Sequence, residues 1–479
     1  MPRYNTNLCN DKMKFQDCEL AILRHAVDKI DKIQNAEVAN DAEIKKIISI
    51  LEKYLQRKKC ICYGGTAINN ILPKHAQFYN RNIEIPDYDF YSMTAMDDAK
   101  ELADIYYREG YEEVEAKAGV HFGTYKIYVN FLAIADITFL HKEFYMNIKK
   151  EAIQINGIYY APPNFLRMNM YLELSRPSGD VSRWEKVLKR LNLLNKYYPL
   201  QKINCSKVDF QRKMENDKGS KNIYYIVRDE LILQEVIFFG GYASSLYSKT
   251  LRGEHSVLQK IPDFDVITEN PVECAEHVIA KLRENGFSHL KTITHDKIGE
   301  LIPEHVEIKC GKETICFIFK PIACHNYNVL HFGEQTVKIA TIDTILSFYL
   351  AFYYTNQPYF FKDRIICMAQ FLFDIEQKNR LEQKGILKRF SVYCFGEQET
   401  KNSIRALKNK KYQELKNYPN SREFEEWFLK YSPKNKNAPG TYIKQTKYTK
   451  KTLKKKTTTK KKKLKLYEIF TKNKKLISL

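Results

Sequence analysis

One pattern occurs twice in this chain at a single spacing. A short apolar run, Cys60-Ile-Cys-Tyr63, ends in Gly64-Gly65-Thr66; a helix-like stretch from Ala67 to Leu72 follows, then Pro86-Asp87-Tyr88-Asp89-Phe90-Tyr91. Further on, Val236-Ile-Phe-Phe239 ends in Gly240-Gly241, and Pro262-Asp263-Phe264-Asp265-Val266 comes after it. From Gly65 to Asp87 is 22 positions, and from Gly241 to Asp263 is 22 again. The helical patterns Met96–Glu109 and Val272–Glu284 correspond, and Val337–Leu346 echoes Ile158–Leu166. Matching order over about a hundred residues marks a diverged internal duplication. Each copy reads strand, glycine turn, helix, acid strand, helix, strands. That predicts an α/β fold (an α+β mixed sheet) present as two tandem domains.

The acid strand carries the chemistry. Successive strand residues face opposite ways, so Asp87 and Asp89 share a face while Tyr88 and Phe90 enter the core. Two neighbouring carboxylates are costly unless cations neutralise them. Hard divalent ions do this, Mg²⁺ above all where phosphates complete the ligand set. Gly64 and Gly65 let a ligand approach the backbone closely, at a helix start whose N–H groups suit phosphate. Thr66 either caps that helix or gives its hydroxyl to a phosphate oxygen. Two-metal phosphoryl transfer needs a further acid for the ion that activates the attacking hydroxyl. Asp136, alone in the apolar run Tyr128–Leu140, is the candidate. Counted back from Ala161 and Ala340, Asp136 falls against Ile315–Phe319, which holds no acid. The second copy thus keeps Gly240, Gly241, Asp263 and Asp265 but lacks the third carboxylate.

Other stretches set the organisation. Asp17–Ile33 and Asp41–Lys59 read as helices, and strands are expected around Glu112–Lys117 and Thr124–Leu140. Asn164, after two prolines, is the expected N-cap of a helix that packs Leu166, Met170 and Leu174 on the sheet. The helix Gly179–Arg190 bears Arg183, Lys186, Lys189 and Arg190. These are either a solvated face or contacts to a triphosphate, with Arg183 and Lys186 the candidates. The expected division is 1–203 catalytic, 204–222 linker, 223–432 second copy with a helical C-terminal part, and 433–479 a Lys-rich disordered tail. From Thr441 the chain holds fifteen lysines and one acid, a net of +14; the other 440 residues carry only +7 of the total +21. Such a polycation suits RNA backbone contact, solubility or localisation. The eleven cysteines are odd in number and form no CxxC pair, which argues against a disulfide framework or structural zinc and for a reducing compartment. No run is long enough to span a bilayer and the start lacks a signal peptide, so a soluble intracellular protein is expected.

The order of glycine pair, helix, Asp-x-Asp strand and later Asp strand resembles the polymerase-β nucleotidyltransferase superfamily. Within it, Tyr63-Gly-Gly-Thr-Ala-Ile-Asn69, Pro86-Asp-Tyr-Asp-Phe-Tyr-Ser92, Ala135-Asp-Ile-Thr138, Leu174-Ser-Arg-Pro177 and Arg183-Trp-Glu-Lys186 are similar to poly(A) polymerase catalytic subunits of nucleocytoplasmic large DNA viruses. The resemblance implies AMP transfer from ATP to an RNA 3′ end, with two Mg²⁺ or Mn²⁺ ions. Asp87, Asp89 and Asp136 would be the metal ligands, and Gly64, Gly65 and Thr66 would lie at the triphosphate. It implies no membrane and a setting in the host cytoplasm, at the viral factory, or in the virion. A homodimer and an accessory viral protein are left open. Rival readings are an oligoadenylate synthetase or CCA-adding enzyme, and a non-catalytic RNA-binding scaffold.

Overall fold

The computed structural model describes residues 8–9, 12–80, 84–200, 204–205, 208, 217–249, 263–379 and 381–435. The Lys-rich tail after 435 and most of the expected linker lie outside them.

The chain opens with α1 (Phe15–Ala39) and α2 (Ala42–Lys58). The Asp41 carboxylate caps α2, accepting from the amides of Glu43 and Ile44. One face, Ile44, Ile47, Leu51, Tyr54 and Leu55, is buried. Then come β1 (Ile61–Tyr63), α3 (Gly64–Ile71), β2 (Tyr88–Ser92), α4 (Ala95–Arg108), β3 (Val114–Ala118), β4 (Thr124–Val129) and β5 (Leu132–Phe139). The run expected as one strand, Thr124–Leu140, is a hairpin. Asn130 and Phe131 hold φ of 50° and 67°, as the two central residues of a tight hairpin turn require.

Next are α5 (Lys142–Glu151), β6 (Ile153–Ile155), β7 (Ile158–Tyr160), α6 (Pro163–Leu174), α7 (Trp184–Tyr197) and α8 (Asp217–Leu233). Pro162, not Asn164, takes the cap position of α6. Pro163 stands at the first turn, where a missing N–H costs nothing, and Asn164 instead accepts from Arg167. α8 begins inside the expected linker. The second copy runs β8 (Ile237–Phe238), α9 (Gly241–Ser248), β9 (Phe264–Ile267), α10 (Pro271–Glu284), β10 (Leu290–His295), β11 (His305–Cys310), β12 (Glu313–Phe319), β13 (His325–Phe332), β14 (Gln335–Ala340), α11 (Ile342–Tyr353) and α12 (Lys362–Lys378). Leu166, Met170 and Leu174 of α6 are buried, and α6 packs on α11. β15 (Cys394–Phe395), α13 (Lys401–Leu415), α14 (Arg422–Phe428) and β16 (Lys430–Tyr431) complete the described chain.

The duplication is visible in topology. One sheet has the order β16-β3-β4-β5-β2-β1-β7-β6, the other β10-β11-β12-β9-β8-β14-β13-β15. Without the late strands β16 and β15, each added at one edge, the two orders are the same.

The described chain forms two compact units. One holds its residues up to Phe139, Gln154–Tyr160 and those from Lys408; the other holds those of Leu140–Ile153 and Ala161–Leu407. The chain returns because β16 pairs with the edge strand β3, and the Ala118 amide donates to the Leu429 carbonyl. A correction concerns cysteine. Cys9–Cys18, Cys205–Cys367 and Cys324–Cys394 form disulfides, and Cys60, Cys62, Cys274, Cys310 and Cys316 stand outside these bonds. An odd count and the lack of CxxC could not reveal pairs separated by 162 and 70 residues.

Candidate active site

In the first sheet β1 lies between antiparallel β2 and parallel β7, and β2 pairs in parallel with β5. The ladders set Tyr63 against Asp89, Asp89 against Asp136, and Asp136 against Lys126. Cross-strand partners share a face, so these four side chains form one row across four strands. Tyr88 and Phe90 are fully buried on the opposite face. Asp87 is exposed just before β2, and Asp89 is half-buried.

A register slip makes the row. Tyr128 pairs with Ala133 but Ile127 with Ala135, so Ile134 is passed over and Lys126 meets Asp136 instead of Ala135. Bulges of this kind re-aim side chains beside active sites.

The glycine turn abuts the acids. Gly64 has φ +73°, and a Cβ there would stand 2.6 Å from the Asp89 carboxylate. Both facts demand glycine. α3 begins at Gly64 without a side-chain cap. The buried Thr66 hydroxyl donates to the Asp87 carbonyl at 2.7 Å. It does not cap the helix; it ties the acid strand to the turn.

The charges converge. Burial, and then the Asp89 charge, push the Tyr63 phenol well above its ordinary pKa, with Asp136 and Asp87 adding to the effect. Its hydroxyl shares a 2.8 Å hydrogen bond with Thr138, which acts the other way. For Lys126 burial favours the neutral amine, but its hydrogen bond to Asp136 and the charges of Asp136 and Asp87 prevail and its pKa rises. Lys126 pairs directly with Asp136. Sequence reading missed this lysine, because only the hairpin turn and the slip bring it opposite the acid. Among the described residues no three His, Cys, Asp or Glu side chains stand close enough to share a metal ion. The expected ligands Asp87, Asp89 and Asp136 are therefore strand neighbours but not a closed cage.

Arg183 and Lys186 lie in the other compact unit. The Arg183 guanidinium pairs with Glu173 at 3.3 Å, and Lys186 stands in α7.

In the second copy the same slip recurs: Lys309 pairs with Thr314 and Ile308 with Cys316, passing over Ile315. Asp265 then faces Phe317, and Phe317 faces Glu307. Phe317 thus stands where the first copy has Asp136, and Glu307 where it has Lys126. The glycine turn is as tight as before, since a Cβ on Gly241 would stand 2.2 Å from the Asp263 carboxylate. Yet the face is filled. Phe239 and Phe319 meet at 5.3 Å, His305 stacks on Phe319 at 4.6 Å, and Phe348 of α11 lies 4.8 Å from Phe239. Burial pushes the His305 imidazole down to about 4. Cys316, the one thiol of the strand, pairs with Phe264 and so faces away from Asp265.

The two sheets share one topology, and the first carries the row of acids. Residues 49–180 match the family model described as poly(A) polymerase catalytic subunit. A protein of Acanthamoeba polyphaga mimivirus that carries that name is 33% identical over 213 residues, 43% of this chain and 34% of that protein. Its namesake in African swine fever virus is 27% identical over 244 residues, 50% of this chain and 48% of that one. The chain thus spans about a third to a half of these relatives' length. The crystal structure of the Megavirus polyadenylate synthase matches with a TM-score of 0.75 at 21% identity, over 90% of this chain and 89% of that one. At that identity the likeness speaks for the fold. No described helix is long and apolar enough to cross a membrane.

Proposed function

We propose that the first copy is the catalytic centre of a template-independent polynucleotide adenylyltransferase, which moves AMP from ATP to an RNA 3′-hydroxyl and releases pyrophosphate. The observation that carries this reading is the row Asp89–Asp136 with Asp87 beside it, set over the Gly64–Gly65 turn, inside the stretch that matches the family model. The donors are hard carboxylate oxygens, the class that Mg²⁺ and Mn²⁺ accept. Asp87, Asp89 and Asp136 would hold the ions, whose bound charge favours the ionised 3′-hydroxyl and the leaving pyrophosphate. The chain itself orients the parts. Gly64 and Gly65 admit phosphate to the backbone, the Thr66 hydroxyl fixes Asp87 against the turn, and no protein nucleophile is required. The substrates are ATP and an RNA 3′ end, and the setting is the host cytoplasm, its viral factory, or the virion.

Incubation of the full chain with labelled RNA and each nucleoside triphosphate in turn tests the proposal. Long tails of A alone support it. Oligomers made without RNA would point to a synthetase instead, and RNA binding without extension to a scaffold.

The second copy should be silent in this reaction. Its face is packed with Phe239, Phe317 and Phe319, which offer a cation nothing and exclude a nucleotide. Asp263→Asn combined with Asp265→Asn is expected to leave ATP addition within about twofold of wild type, since Phe317 and not an acid faces Asp265 on the neighbouring strand. Loss of extension as complete as that of Asp87→Asn with Asp89→Asn, in a folded protein, would make the second copy a working site.

A further inference from the structure

We infer that Lys126 is a resident counter-ion for the third carboxylate, one that a divalent cation has to displace before Asp136 can bind it. This rests on the reading of Asp136 as a metal ligand, and three observations carry it. The Lys126 ammonium sits on Asp136 Oδ2, with the two side chains 31% and 23% exposed. The pair is therefore open enough for exchange yet shielded enough to matter. The contact depends on the slip that passes over Ile134, without which Lys126 would face Ala135. The second copy keeps the slip but has lost the two charges together: Phe317 replaces the acid and Glu307 the lysine. Glu307 there is held by His295 at 3.1 Å and by Thr314 at 2.5 Å. A lysine kept only to fill the sheet would have no reason to vanish with the acid.

An ammonium is a compact charge on a flexible stem and can swing between anions. While it neutralises Asp136, the acids lack the charge to capture a lone divalent ion tightly. A triphosphate or RNA phosphate that drew it away would free Asp136. Lys126 is thus a positioning residue that holds the site open until an anionic substrate arrives.

Mn²⁺ binding to the full chain without nucleotide, followed by loss of the free-ion paramagnetic resonance signal, tests this. Lys126→Met and Lys126→Gln should each bind Mn²⁺ about tenfold more tightly than wild type, because a competing charge is gone. Lys126→Arg, which keeps the charge, should stay near wild type. Mn²⁺ should also raise the thermal midpoint of the Met and Gln variants more than that of wild type, which shows in the same step that they fold. Equal or weaker affinity in both variants would overturn the inference, since Lys126 would then pack against Asp136 or orient it. Tighter binding of Lys126→Met that survives the addition of Asp136→Asn unchanged would overturn the metal role of Asp136 itself. Extension of RNA with ATP alone, measured separately, distinguishes that failure from a failure of the adenylyltransferase reading.

Discussion

Asp136→Ala should cut ATP-dependent RNA extension on the order of a thousandfold while leaving ATP binding largely in place. On the proposed reading Asp87 and Asp89, which adjoin the glycine turn, would serve the nucleotide-bearing ion, whereas Asp136 comes from the neighbouring strand β5. Its removal would then take a ligand from the ion that activates the incoming hydroxyl. That interaction is realised in the transition state, so the loss belongs in kcat rather than in nucleotide affinity. Asp136→Ala also leaves the half-buried Lys126 without its acid. Asp136→Asn keeps the volume and a hydrogen-bond acceptor for Lys126, and separates misfolding from lost chemistry. Extension under single turnover and ATP binding at equilibrium are the two measurements. A folded Asn variant that extends RNA at the wild-type rate would remove Asp136 from the site.

Much of this site could be read from local rules. Alternation along Pro86–Tyr91 placed Asp87 and Asp89 on one face, and Tyr88 and Phe90 are indeed fully buried on the other. The glycine pair could be read because positive φ and close approach leave little choice, as Gly64 against Asp89 shows. Counting back from Ala161 and Ala340 set Asp136 against the strand Ile315–Phe319, and the ladders put Phe317 in its place. What escaped was non-local. The Asn130–Phe131 turn carries no glycine, so two strands read as one. The register slip at Ile134 has no local signature, and it alone decides that Lys126 meets Asp136. Thr66 offered a hydroxyl to any acceptor, and only the packed turn shows that the Asp87 carbonyl claims it. The return of β16 to β3 and the pairing of Cys205 with Cys367 join segments hundreds of positions apart or nearly so, where pattern gives no guide.

The largest expected effect on stability lies away from the acids of the sheet, in the second compact unit. Arg389 donates to both oxygens of Asp343 at 2.8 and 3.0 Å, and its third arm meets Glu376 at 2.6 Å. Asp343 and Glu376 are buried, with side chains 1% and 10% exposed. One cation cannot fully serve two buried carboxylates. Burial and then the Asp343 charge push the Glu376 carboxyl up to about 8, against the pull of Arg389. Arg389→Met leaves both acids without a cation and should destabilise the fold by about 3–5 kcal/mol near pH 8. The sign with pH follows from linkage. A carboxyl whose folded pKa exceeds its unfolded value of about 4.3 binds more protons in the native state. Its contribution is complete below that unfolded value and fades as pH rises through the folded one. The variant, stripped of the pull of Arg389, should therefore lose less at pH 5, where Glu376 takes up its proton, than at pH 8. Thermal midpoints of wild type and variant at the two pH values measure this. Adding Asp343→Leu and Glu376→Leu to Arg389→Met should recover most of the loss, because the charges rather than the volume are at fault. A single variant as stable as wild type at pH 8 would show that Arg389 holds nothing in place.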